Sequence, residues 1–528
     1  MRILLSALFL TAGCLLSAAP QATAQAVAPT KQWDKTFGGS GIEYVDGIRQ
    51  TSDGGYIIGG TSFSGISGDK TQASQGDSDY WIVKVDASGT KQWDRSFGGT
   101  AQDILYSLQQ TSDGGYILAG QSDSGIGGDK TQASQGSFDY WVIKLDASGT
   151  KQWDRSFGGN TSDYLYSVQQ TTDGGYVLGG HSYSGVTGDK TQPNRGLADY
   201  WIVKVDASGT KQWDKTFGGS SEDLSSTLQQ TSDGGYIIGG ASESGSSGDK
   251  TQPRQGLSDY WIVKLDASGS KQWDRSFGGS DDDYLQSLQQ PSDGGYILAG
   301  SSSSGSSTDK TQASQGGVDY WVLKLDASGA KQWDRTIGGS NNDVLNAIQQ
   351  TSDGGYILGG KSNSSIGGDK TQASQGSRDY WLVKLSMNGT KLWDRTFGGN
   401  SEDAFEALQQ TSDGGYILAG WSESGISGDK TQASQGSFDC WIVKLSAAPL
   451  ATTAATISPA LSAYPNPART QLTLRGPLGT PYQLLNQLGQ VMLSGKLTNQ
   501  PLDVHSLPAG LYLLRDQTTG RITQLVKE

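Results

Sequence analysis

The chain has 528 residues, 76 of them glycine and 9% aromatic, a mixture that suits many short strands joined by tight turns rather than helices or disorder. Its formal net charge is −13 and no basic block interrupts the acidity, which argues against a nucleic-acid partner. With two cysteines and two histidines in all, thiolate metal clusters and most histidine-based catalysis are excluded.

In chain order, residues 1–24 read as a secretory signal peptide. A single Arg2 precedes an apolar run, and Ala22-Thr23-Ala24 supplies the small residues of a cleavage site after Ala24. A lipoprotein signal through Cys14 is the alternative, although Thr11 stands where such a motif usually has Leu. Without the leader Cys440 is the sole cysteine, so no intramolecular disulfide can form. No other stretch approaches the roughly 20 apolar residues of a membrane-spanning helix.

From 31 to about 446 the sequence repeats every 60 residues without slippage. Each unit holds four strand candidates, called a to d here. In the second unit they are "YSLQQT", then "GYILAGQ" across the Asp113-Gly114 turn, then "DYWVIKLD", and after "ASG" the strand "KQWDRSF". Seven such sets predict an all-β, seven-bladed β-propeller. The chain opens on a d strand, "KQWDKTF" at 31–37, that has no a–b–c set before it, and the last set ends at "CWIVKL" (440–445) with no d strand after it. The orphan is therefore expected to close the ring and remove its exposed edges. Of the 15 tryptophans, seven fall on d strands (every sixtieth residue from Trp33 to Trp393) and seven on c strands (Trp81 to Trp441), which makes them blade-to-blade core; Trp421 is the exception.

Antiparallel order puts the tight a–b and c–d turns on one face of the ring and the long b–c loops, with the d–a connections, on the other. The long loops mark the second face as the functional one. Within the near-copied units, three positions vary freely. One, in strand a, includes Tyr106, Tyr166, Asn346 and Glu406; two others, near the end of strand b, include His181, Lys361 and Trp421, and Tyr183. These eight are the candidate ligand-binding residues, alternate residues of a strand sharing one side. Drift at tolerant positions would leave the same variation. An acid also opens every strand a: Glu43, then Asp103, Asp163, Asp223, Asp283, Asp343 and Asp403. A ring of carboxylates could hold Ca²⁺; alternatively each acid caps the Gly-Gly corner before it. No other cofactor is expected. In the repeated "GDKTQ" loop, an Asp69–Lys70 pair is expected to order the loop locally.

Two resemblances follow from these residues. "KLDASGTKQWD" (144–154) resembles the tryptophan-docking repeat of quinoprotein-type propellers, which implies an outer-strand Trp packed between neighbouring blades. With one cysteine the vicinal disulfide of that family's quinone site is impossible, so fold similarity alone is implied. After an Ala/Thr-rich linker at 447–460, the region 461–528 resembles the C-terminal sorting domain of proteins exported by the type IX secretion system. The matching positions are Tyr464-Pro465-Asn466-Pro467, Gly489-Gln490-Val491, Leu507, Gly510-Leu511-Tyr512 and Val526-Lys527. The resemblance implies a small β-sandwich, passage across the outer membrane with that machinery as partner, and attachment at the cell surface.

The composition and resemblances favour a secreted, non-catalytic binding or adhesion protein whose ligand is a glycan or a protein. A glycan-active hydrolase is the alternative, although near-sevenfold symmetry offers the repeated acids equal surroundings where catalysis needs unequal ones. A structural surface component is the third reading.

Overall fold

The structure, a computed structural model, describes residues 27–448, 461–487, 489–517 and 522–528. The expected leader and residues 449–460 of the expected linker lie outside them. The chain divides into two compact units, one over Gln25–Pro449 and one holding Leu450–Glu528.

Every regular element among the described residues is a β-strand. In the first unit, strands a (Glu43–Gln50), b (Tyr56–Ser62), c (Asp79–Val85) and d (Lys91–Phe97) form an antiparallel sheet in that order, and the pattern recurs. Strands b and c are buried over their whole length, because each sheet is covered on both sides by its neighbours. The a–b turn needs the positive φ of Gly54 (83°), and Lys84 reaches Asp53 at 2.9 Å to hold it.

The last sheet takes its fourth strand from the start of the chain. Lys31–Phe37 pairs antiparallel with Asp439–Leu445, with Phe37 opposite Cys440, Asp34 opposite Val443 and a bulge between Lys31 and Trp33. The d strand of the third repeat shows the same bulge, between Lys211 and Trp213.

Adjacent sheets are held by three recurring contacts. Tyr140 packs its ring on Trp201 (4.7 Å) and donates its hydroxyl to the Trp201 carbonyl at 2.9 Å. The outer-strand Trp153 meets Tyr176 of the next sheet edge-on at 5.9 Å and lies under that sheet's Gly209 turn. The Gln109 side chain accepts the backbone N–H of Gln170 at 2.8 Å. Between the last and first repeats the equivalents are Trp33 on Tyr56 at 6.0 Å and Gln409 accepting from Gln50 at 2.6 Å. The tyrosine contact is missing there, because Cys440 occupies its place.

The second unit has a sheet of Ser462–Tyr464, Gln471–Arg475 and Leu502–Asp503, and another of Val491–Lys496, Pro481–Leu485, Gly510–Asp516 and Ile522–Lys527. Leu472 and Leu474 of the first and Leu484, Tyr512 and Leu514 of the second share one core.

Candidate ligand-binding site

Every strand a carries a β-bulge at the position that varies most. In the first repeat Val45 pairs with Gly60 and Gly47 with Gly59, leaving Asp46 as the extra residue; Glu406 is the extra residue between Phe405 and Ala407. A bulge turns the unpaired side chain away from the alternation of the strand. Gly60 makes this possible, since a Cβ there would lie 2.0 Å from the Tyr44 carbonyl oxygen.

The free positions of the first, second and last repeats meet at one cavity of about 300 Å³, lined by Tyr44, Asp46, Thr61, Phe63, Tyr106, Glu406 and Trp421 with Val45 and Ile104. Tyr44 sits at the centre of the aromatic wall, edge-on to Phe63 (6.2 Å) and Trp421 (5.9 Å) and stacked on Phe438 (6.0 Å). Opposite them, Glu406 accepts from the Asn346 amide at 2.7 Å and pairs with Lys361 at 3.5 Å. Burial raises the Glu406 carboxyl, while Lys361 and Asn346 pull it back. Asp46 has no such partner among the described residues. Burial, with the Glu406 charge added, holds its carboxyl well above the ordinary range. Five of the eight expected ligand residues are thus brought together: Tyr106, Glu406 and Trp421 in the lining, and Asn346 and Lys361 on Glu406. Asp46 and Glu406 are not among the repeated acids, and their surroundings differ.

The remaining three, with Tyr106 shared between the two, form a second aromatic group. Tyr106 meets Tyr166 at 4.7 Å, His181 stacks on Tyr166 at 5.4 Å, and Tyr183 is edge-on to His181 at 6.0 Å. His181 is buried rather than presented to a ligand; burial pushes its imidazole down to about 4, so it is neutral at pH 7. Tyr183 is the exposed member and donates to Glu222 at 3.1 Å.

The acids that open strand a are not gathered at a channel mouth. Asp103, Asp163, Asp223, Asp283, Asp343 and Asp403 are each fully buried in their own sheet. Asp103 accepts from Gly99 N–H at 2.7 Å and Ser124 Oγ at 3.0 Å, the corner-capping alternative. No group of three or more acidic, His or Cys side chains that could hold a metal is present among the described residues. The pairing expected in the "GDKTQ" loop is also corrected. Lys70 turns inward, buried, and donates to Ser96 Oγ at 2.6 Å, because the blade interior offers hydroxyl acceptors there. Asp69 instead accepts from Gln435 at 2.7 Å.

Tyr44 and Phe438 were not singled out by the sequence reading. A weaker signal for Tyr44 is present: its position reads Tyr, Ile, Tyr, Leu, Tyr, Val, Ala through the repeats, five residue types against six or seven at the three free positions.

In the second unit, Asn466 accepts the Val526 N–H at 2.8 Å and donates to the Gln524 carbonyl at 3.1 Å, tying the Tyr464-Pro465-Asn466-Pro467 block to the last strand. The peptide bonds before Pro465 and Pro467 are cis. Arg475 lies over the Tyr464 ring at 4.4 Å, and Tyr512 donates to the Pro508 carbonyl at 2.8 Å. Gly510 starts the penultimate strand opposite Lys527.

Residues 462–527 match the family described as the secretion system C-terminal sorting domain. Over 319 residues the chain is 26% identical to the regulatory protein FlaEY of Caulobacter vibrioides, covering 54% of this chain and only 32% of that protein. Among solved structures it is similar to PorZ, described as an essential bacterial surface component of the type-IX secretion system of Porphyromonas gingivalis. That match has 10% identity and a TM-score of 0.39 over 93% of this chain and 60% of that one. It is also similar to a member of the DUF4221 family from Bacteroides vulgatus, with 7% identity and a TM-score of 0.34 over 80% of this chain and 99% of that one. The repeated strand tetrads of the first unit form a tandem-repeat, β-propeller-like fold, and the chain ends in a type IX secretion system C-terminal sorting domain.

Proposed function

We propose that this is a secreted, surface-attached binding protein, exported by the type IX machinery, whose repeats close as a seven-bladed propeller and hold a ligand at the seam of the first and last blades. Closure is supported by the N-terminal strand pairing with Asp439–Leu445 and by the bond from Gln50 to Gln409 at 2.6 Å. The observation that carries the binding reading is the shared cavity where Tyr44, Phe63 and Trp421 line one space with Asp46 and Glu406. Aromatic rings take the apolar side of a sugar ring and the carboxyl groups take its hydroxyls, so a glycan is the ligand class that suits it.

The test is a glycan array probed with the full mature chain. Trp421→Ala and Tyr44→Ala each lower affinity at least tenfold, whereas Ser303→Ala, on a distant blade, leaves it unchanged. An array without binders, or binding indifferent to both aromatic changes, removes the reading.

One observation favours a second reading, hydrolysis of the bound glycan. Asp46 and Glu406 are paired acids in unequal environments, the condition for one to hold a proton while the other is ionised. Polysaccharide cleavage that disappears in both Asp46→Asn and Glu406→Gln would establish it; binding without turnover would leave the first reading alone.

A further inference from the structure

A second cavity, of about 560 Å³, lies where the a strands run into their Asp-Gly turns, and its lining carries no acidic side chain. Six repeats place a glutamine there, one every sixty residues from Gln109 to Gln409; the first repeat has Arg49. Each glutamine oxygen is already committed. Gln109 accepts from the backbone N–H of Gln170 at 2.8 Å, Gln229 from Gln290 at 2.7 Å, and Gln409 from Gln50 at 2.6 Å; the remaining three repeat the bond.

A backbone N–H can only donate, so these bonds settle which end of each amide is the oxygen. The six Nε2 amides are left over, and none has a protein acceptor among the described residues. Arg49 adds a guanidinium that gives one N–H to the Ile48 carbonyl at 2.7 Å. Burial lowers its pKa, and among the described residues no carboxylate stands near enough to offset that. In a chain of net charge −13, this cavity therefore holds one cation and a ring of free donors, with no anion to meet them.

We propose that the Arg49 cavity is an oxyanion site, taking a sulfate, phosphate or carboxylate group, either as a free ion or carried on a saccharide. The guanidinium supplies two parallel N–H groups to a pair of anion oxygens, and the amides complete its coordination. The site is separate from the aromatic cavity and does not depend on the glycan reading. It also accounts for a change that breaks the ladder: Gln110, whose N–H has Arg49 in place of a glutamine, loses an acceptor, since a guanidinium cannot accept.

The full mature chain is titrated with sodium sulfate, sodium phosphate and a sulfated disaccharide, with sodium chloride holding ionic strength constant, by calorimetry and thermal denaturation. Saturable binding is expected in the parent, at least tenfold weaker in Arg49→Gln, and intermediate in Arg49→Lys. Arg49→Gln restores the residue of the other six repeats, so its melting temperature in chloride equals or exceeds the parent's. Binding of inorganic ions identifies a free-ion site; binding of the disaccharide alone identifies a saccharide-borne group. Equal binding by the parent and Arg49→Gln, or no saturable binding of any probe, overturns the proposal.

Discussion

Asp34 accepts the indole N–H of Trp441 at 3.1 Å, across 407 positions of sequence. The same carboxylate takes the Thr431 N–H at 2.9 Å. Asp154 does both for Trp141 and Thr131 within a single repeat, at 3.2 and 2.9 Å. The two ends of the repeat region are thus joined by the bonds that join any c strand to its d strand.

If that junction is a full member of the set, Asp34→Ala and Asp154→Ala cost the same, about 2–3 kcal/mol each, from leaving buried donors unpaired. Urea denaturation of the two variants measures this. A neutral Asp34→Ala beside a costly Asp154→Ala would mean the N-terminal strand is dispensable.

Cys440 stands where the other six repeats have a tyrosine bonded to the next sheet's tryptophan carbonyl, as Tyr80 is to Trp141 at 3.0 Å. Cys440→Tyr is expected to raise stability by about 1 kcal/mol through the restored hydrogen bond and ring contact. A fall in melting temperature would show that the seam is shaped around the smaller side chain. In the native parent the buried Cys440 thiol, its pKa pushed well up, should be inert to thiol reagents until the protein unfolds.

Carboxyl groups buried at the sheet junctions make stability depend on pH. Burial raises Asp103, Asp199, Asp283, Asp319 and Asp379 to about 6 and Asp139 to about 7, above the ordinary 3.8. The folded chain therefore binds more protons than the unfolded chain between these values. That stability is full below about pH 4 and is lost as pH rises through 6 to 7. The buried Lys130 beside them is pushed down only to about 8, so it adds no slope in that window. Turn acids such as Asp53, held near 2 by hydrogen bonds from Thr51 and Lys84 against the cost of burial, act oppositely and lose stability as pH falls below 4. Calorimetry should place the highest melting temperature near pH 4–5, with a decline to pH 7.5; a rise over that interval would contradict the burial of these acids as acids.

Asp46 lacks the partners that Glu406 has, so Asp46→Asn should stabilise the protein at pH 7 while weakening ligand binding. Trp421→Ala should cost no more than about 1–2 kcal/mol, since the side chain is partly exposed. Thermal melts and binding measured on the same preparations separate the two effects. Loss of stability in Asp46→Asn would make that carboxyl structural.

Gly60→Ala would press a methyl against the Tyr44 carbonyl, 2.0 Å from the added carbon, at the bulge that aims Asp46. The expected cost is about 3 kcal/mol or more, because backbone cannot step aside as a side chain can. A native-like melting temperature for this variant would show the bulge to be soft.

The amino-acid order alone carried the sixty-residue period, the four strands of each unit, the unattached d strand at Lys31 and the tryptophan-rich interior. These depend on local turn chemistry and on which residues recur, and every unit restates them. It also carried the sorting blocks, whose order and spacing are linear. What depended on the folded state were the departures from strand alternation and the meetings of distant residues. Strand periodicity places Asp46 on one side of strand a, but a bulge decides where it points. For Asp103 the sequence leaves a cation ring and a corner cap both open, and the fold over Gly99 decides for the cap; Lys70 reads as a loop residue until Ser96 receives it. Tyr44 and Trp421 lie far apart in the chain; the unattached d strand announces that the two ends meet, but only the folded sheets put these two rings on one wall. Repetition writes down what every unit does; which side chains meet where the first unit adjoins the last is decided only in three dimensions.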